Sequence, residues 1–160
     1  MTPRTFATHR QLSAIRRAGS LIRKWLAPSG ITLGILKEDL GGGILGEYEA
    51  GSVFTGEITI RVNPPSIRTS CSFLPFPEDI QRQTRLTVYH EVGHALLEQI
   101  IDWDEYYEDM DETISRVDKV YTDVFDDSVD EETLVEDFAY GFEYGHGSQL
   151  QRCWEALTQC

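Results

Sequence analysis

The sequence predicts an α+β domain: an N-terminal helix, a small mixed or antiparallel sheet, a long helix bearing histidines, then an acid-rich helix. Three observations lead there. Apolar residues recur every three to four positions between residues 8 and 26, alternate with polar ones between 57 and 62, and return to helical spacing after residue 77. At 160 residues the chain (1–160) fits one domain, long enough to bury a core without cross-links. Its hydrophobic share of 41% and charged share of 26% place it with ordinary globular chains, not disordered ones.

The elements follow in order. Thr8 can cap a helix reaching about Leu26, with Leu12, Ile15, Ala18, Ile22 and Trp25 on one stripe and Pro28-Ser29-Gly30 ending it. Extended segments are expected at Ile31–Leu36, Ile44–Ala50 and Glu57–Val62, separated by Gly41-Gly42-Gly43 and by Gly51 to Gly56. In the last, Ile58, Ile60 and Val62 point inward and Thr59 and Arg61 outward. The short connections favour an antiparallel meander. The stretch from Asn63 to Asp79 reads as a proline-punctuated connection without regular structure. A long helix starts near Pro77-Glu78 and runs to about Ile101. A further helix is expected around Thr113–Val124, another from about Val129 to Tyr144, and a last short one over Ser148–Thr158.

The net charge of −13 is unevenly spread. Residues 1–37 carry seven Lys or Arg and no acid, whereas residues 98–143 carry eighteen Asp or Glu against Arg116 and Lys119. The plain reading is two solvated faces; the sharper one is an acidic field that disfavours nucleic acid and favours cationic protein or peptide partners. No apolar run approaches the ~18 residues of a membrane span, and no signal peptide is visible. Cys71, Cys153 and Cys160 are an odd, sparse set that fits a reducing compartment. The expectation is a cytoplasmic protein with no membrane partner.

The chemistry concentrates in Thr87–Gln99, "TVYHEVGHALLEQ". Residues four apart share a helix face, so His90 and His94 stand one above the other and can ligate one zinc ion. Glu91 lies about 100° around the helix, placed to take a proton from a metal-activated water attacking a carbonyl. This is the metallopeptidase reading of H-E-x-x-H; the competing reading is a chance pair of surface histidines. The flanking Thr87, Val88, Val92, Gly93, Ala95 and Leu96 are uncharged, as a helix buried beneath a cleft requires. Gly93 costs helix stability, about 1 kcal/mol, which makes sense if another element packs on it.

With these flanks the stretch resembles the zincin superfamily of metallopeptidases. Leu97 and Ile100 stand where a metzincin has glycine and histidine, and no aspzincin run follows, which leaves the gluzincin type. In "EETLVEDFAYGFEYG" (Glu131–Gly145), Glu136-Asp137-Phe138-Ala139-Tyr140-Gly141-Phe142 follows Glu-x-Phe-Ala-x-x-Phe and looks like the ligand helix of short gluzincins and of the anthrax lethal factor catalytic domain. The resemblance implies Glu136 as third zinc ligand. Helical periodicity slightly favours Glu132 instead, and Glu143 and His146 are further rivals. Tyr140 is the candidate oxyanion donor, with Tyr121, Tyr144 and His146 as alternatives. Glu98 reads as a solvated residue able to orient His94. In zincins an edge strand pairs with extended substrate, and Glu57–Val62, just before the histidine helix, is the strand considered for it. Cys153, Cys160 or His146 could occupy the open metal position from the tail. The functional expectation is a zinc-dependent endopeptidase with Glu91 as general base. The alternative is a catalytically silent or regulatory zincin-like binding protein of the kind a mobile element could encode.

Overall fold

The structure is a computed structural model that describes residues 6–72, 77–107 and 130–158. Among them the order is α1 (His9–Leu26), β1 (Thr32–Lys37), β2 (Gly46–Tyr48), β3 (Glu57–Val62), α2 (Pro64–Ser70), α3 (Pro77–Tyr107), α4 (Glu131–Tyr144) and α5 (Gln149–Thr158). The α+β class is as expected. The helix expected at Thr113–Val124 falls outside the described residues. No described helix is long and apolar enough to cross a membrane.

Local chemistry accounts for the helix ends. The Thr8 hydroxyl accepts from the Gln11 N–H at 3.1 Å, and the Gln11 side-chain oxygen accepts from the Thr8 N–H at 3.2 Å, a capping box. α1 buries Ala14, Ile15, Ala18, Ile22 and Leu26, while Leu12 and Trp25 are only half-buried. The connection from Asn63 is more regular than expected, because α2 occupies Pro64–Ser70. Proline is tolerated in a first helical turn, where its missing N–H has no partner to lose.

The sheet differs from the antiparallel meander. Its order is β1-β3-β2, with β1 parallel to β3 and β2 antiparallel to it. Burial follows this order. β3 buries Ile58, Ile60 and Val62 completely, β1 buries only Leu33, and β2 buries no residue fully. The most deeply buried strand is the central one, so Glu57–Val62 is not an edge, and β2 is one instead.

α3 is the hub, touching α1, α2, α4, α5, β2 and β3. Half-buried Trp25 of α1 joins it to the C-terminal helices. Its ring packs edge-on to Phe142 at 5.1 Å and near Phe138 at 5.8 Å, and its Nε1–H donates to Glu155 at 2.9 Å. Trp103 of α3 stacks on Trp154 of α5 at 5.3 Å.

Candidate metal centre

Two helices build the site. In α3, Val88, Val92, Ala95 and Leu96 are wholly buried, which fixes the rotation of the helix and leaves His90 and His94 on the remaining face, partly open. Their rings lie edge to face with centroids 4.8 Å apart, and both present Nε2 to the same point. α4 starts at Asp130, whose carboxylate accepts from the Thr133 N–H at 2.8 Å, a bond that holds the Asp130 carboxyl below its usual pKa. α4 then crosses α3 at Gly93, where a Cβ would stand 3.0 Å from Phe138 and 3.1 Å from Val135. The expected close packing on Gly93 is therefore present. Arg85 locks the far end of α4 by donating to both Glu143 oxygens at 2.6–3.1 Å.

This crossing brings Glu132 onto the histidines. His90 Nε2 and His94 Nε2 are 3.1 Å apart, Glu132 Oε1 is 3.1 Å from His94 Nε2, and Glu132 Oε2 is 3.3 Å from His90 Nε2. Taking one ligand atom from each residue, all three lie within 4.8 Å of one another, close enough to share one ion. The donor set, two imidazoles and a carboxylate, is one zinc favours in catalytic sites. Burial, and then the neighbouring His94, hold the His90 imidazole below its ordinary pKa, which keeps it a neutral, lone-pair-bearing ring at pH 7.

Beside the histidines lies a cleft of about 400 Å³. Its floor is α3, through Gln83, Leu86, Thr87, His90 and Glu91; one wall is Gly43–Gly46, leading into edge strand β2, and the other is Glu136, Ala139 and Tyr140 of α4. Among the described residues, none that lines it is Lys or Arg. Gly46 is required by the close approach of β2, because a Cβ there would fall 2.8 Å from Thr87 and 3.2 Å from Glu91. Glu91 is 8% exposed, and burial pushes its carboxyl up to about 7.

Most residues singled out in the sequence have a definite place. His90 and Glu91 line the cleft, and His94 stands against His90. The structure puts Glu132 against both histidines, while Glu136, one turn later, lines the cleft beside His90. Glu143 is engaged by Arg85. Tyr140 lines the cleft at 45% exposure and stacks on the more exposed Tyr144. His146 is exposed in the turn after α4. Cys153 is fully buried in the core and does not join the histidine cluster. Tyr121 and Cys160 fall outside the described residues.

Three further residues touch the site. Glu131 Oε1 lies 3.0 Å from His94 Nδ1. Tyr48 of β2 stacks on the His94 ring, with centroids 5.6 Å apart and planes 10° from parallel. Glu98, expected to be solvated, hydrogen-bonds the Tyr48 hydroxyl and accepts from the Gly51 N–H at 2.6 Å. Burial and the Glu98 carboxylate push the Tyr48 phenol up to about 12. Glu131 sits in the acidic run the sequence displays, but Tyr48 is reached only through the fold. Compared with protein-family models, curated proteins and solved structures, the chain matches none.

Proposed function

We propose that the chain is a zinc-dependent metallopeptidase of the gluzincin type with a zincin-like fold. The observation that carries this reading is the convergence of His90, His94 and Glu132, with ligand atoms within 4.8 Å of one another, beside a cleft floored by buried Glu91. His90, His94 and Glu132 would hold the ion, whose contribution is to acidify water and polarise a peptide carbonyl. Glu91, with a carboxyl titrating near neutrality, takes the proton of the attacking water and passes it to the leaving amine. Extended substrate aligns along the free edge of β2, which supplies main-chain hydrogen bonds. Tyr140, on the opposite wall, offers its phenol to the developing oxyanion.

The purified protein should carry about one zinc per chain and cleave an unfolded protein substrate. Glu91→Gln removes the base without removing a ligand. It should retain the metal and lose turnover by about 100-fold or more. A variant that binds zinc and cleaves like wild type would overturn the mechanism, and a wild type without bound zinc would overturn the assignment.

A further inference from the structure

The metal reading leaves open what aims His94. An imidazole can rotate about its Cβ–Cγ bond and can carry its proton on either nitrogen, and only one combination turns a lone pair toward the Glu132 carboxylate and His90. Two contacts act on these freedoms. Glu131 Oε1 is 3.0 Å from Nδ1. A carboxylate offers no proton, so this bond forms only with the proton on Nδ1, whereas the Glu132 oxygen 3.1 Å from Nε2 draws the proton to the other nitrogen when no metal is bound there. Tyr48 lies flat on the ring face, and turning the imidazole would break that stack. Tyr48 is itself tied through its hydroxyl to Glu98, which also holds the Gly51 N–H.

We propose that Glu131 and Tyr48 are positioning residues that hold His94 as its Nδ1–H tautomer with Nε2 directed at the metal position. The inference rests on the metallopeptidase reading for its purpose, but its geometry belongs to the metal-free chain. Glu131 precedes Glu132, so the first turn of α4 supplies one carboxylate to the ring and the next to the cluster. Neither positioning residue acts on substrate. Each acts through His94.

The test has two readouts, neither of them hydrolysis. The first is the nitrogen NMR signature of His94 in metal-free Glu132→Ala, which lacks the competing carboxylate, recorded at about pH 9, where imidazoles are neutral. Glu132→Ala should show Nδ1 protonated, and adding Glu131→Ala should move the proton toward Nε2. The second is zinc affinity by chelator competition. Glu131→Ala should weaken it about 10- to 100-fold, the usual effect of losing a ligand's outer partner. Glu131→Gln, whose amide oxygen still accepts, should stay near wild type. Tyr48→Phe keeps the stack and should bind zinc nearly as well as wild type, whereas Tyr48→Ala should bind more weakly. Glu131 is more than half exposed, so its replacement should leave the fold intact, as a thermal melt will show. An unchanged tautomer and unchanged affinity on adding Glu131→Ala would overturn the proposal. If both readouts come out as expected but wild type cleaves nothing, the peptidase reading fails and this inference stands.

Discussion

The two helices that meet at the candidate metal centre are built on opposite plans. Around its histidines α3 is enclosed, with Val88, Val92, Ala95, Leu96 and Ile100 wholly buried. The first turns of α4 are open, and Glu131, Glu132, Thr133 and Glu136 are all exposed. Core packing on several sides fixes where the imidazoles stand, whatever the site holds. Which carboxylate joins them depends on the rotation and height of α4, set on its other face by Val135 and Phe138 against Gly93 and by Glu143 against Arg85. One half of the site is thus rigid by burial, and the other is selected by a helix crossing.

The largest test of this contrast is the ligand series. His90→Ala, His94→Ala and Glu132→Ala should each lower zinc affinity by more than about 100-fold, beyond the effect of losing an outer-shell partner. Glu136→Ala and Glu143→Ala should keep one zinc per chain. Loss of zinc in Glu136→Ala with retention in Glu132→Ala would show that α4 seats itself as the Glu-x-Phe-Ala-x-x-Phe motif implies. Next comes the crossing itself. Gly93→Leu forces atoms into the 3.0 Å gap against Phe138, so it should destabilise the protein by about 2 kcal/mol and weaken zinc binding by moving α4. An unaltered melting curve and affinity would mean that Gly93 does not set the crossing.

A smaller effect probes burial under the rigid half. In metal-free protein the Glu91 carboxyl is pushed from 4.5 to about 7. Between those values the native state keeps a proton that the unfolded chain has released. Stability therefore falls as pH rises through that window, by at most about 1.4 kcal/mol per unit. Glu91→Gln should lack this contribution, so denaturant midpoints at about pH 5 and pH 7 should differ less in the variant than in wild type. Equal slopes would place Glu91 in water. The smallest expected effect concerns the open half. With Glu91 and Glu136 in the cleft and no Lys or Arg among its described lining residues, Lys/Arg-rich peptides should be cleaved faster than acidic ones at low salt. That advantage should shrink above ~0.1 M salt, where screening acts within ~10 Å. Equal rates for both peptides would show that the acidic field does not reach the cleft.

Much of this was legible in the sequence because it is local. The Thr8 cap and the apolar period gave α1 its bounds, and Glu57–Val62 emerged residue for residue as β3. The spacing of His90 and His94 was enough to place two imidazoles on one helix face. Strand neighbours were not legible, because a period of two assigns faces and says nothing about which strand lies alongside. Apolar content does not separate them either, since β1 and β3 each carry three apolar side chains. α2 was hidden by prolines that a first helical turn accepts.

The choice among acids on α4 shows where local information stops. Glu132, Glu136 and Glu143 fall on neighbouring faces of one helix, so periodicity barely separates them. The crossing at Gly93 separates them, directing Glu132 to the histidines, Glu136 to the cleft wall and Glu143 to Arg85. Tyr48, forty-six residues before His94, reaches its ring only because β2 lies at the sheet edge over α3. The sequence alone determined α1, α3, α4 and α5, the faces of β3 and the paired histidines, since hydrophobic period and capping act within a few residues. The tertiary structure decided the strand order, the carboxylate that meets the histidines and the groups that aim them, since these depend on packing between elements distant along the chain.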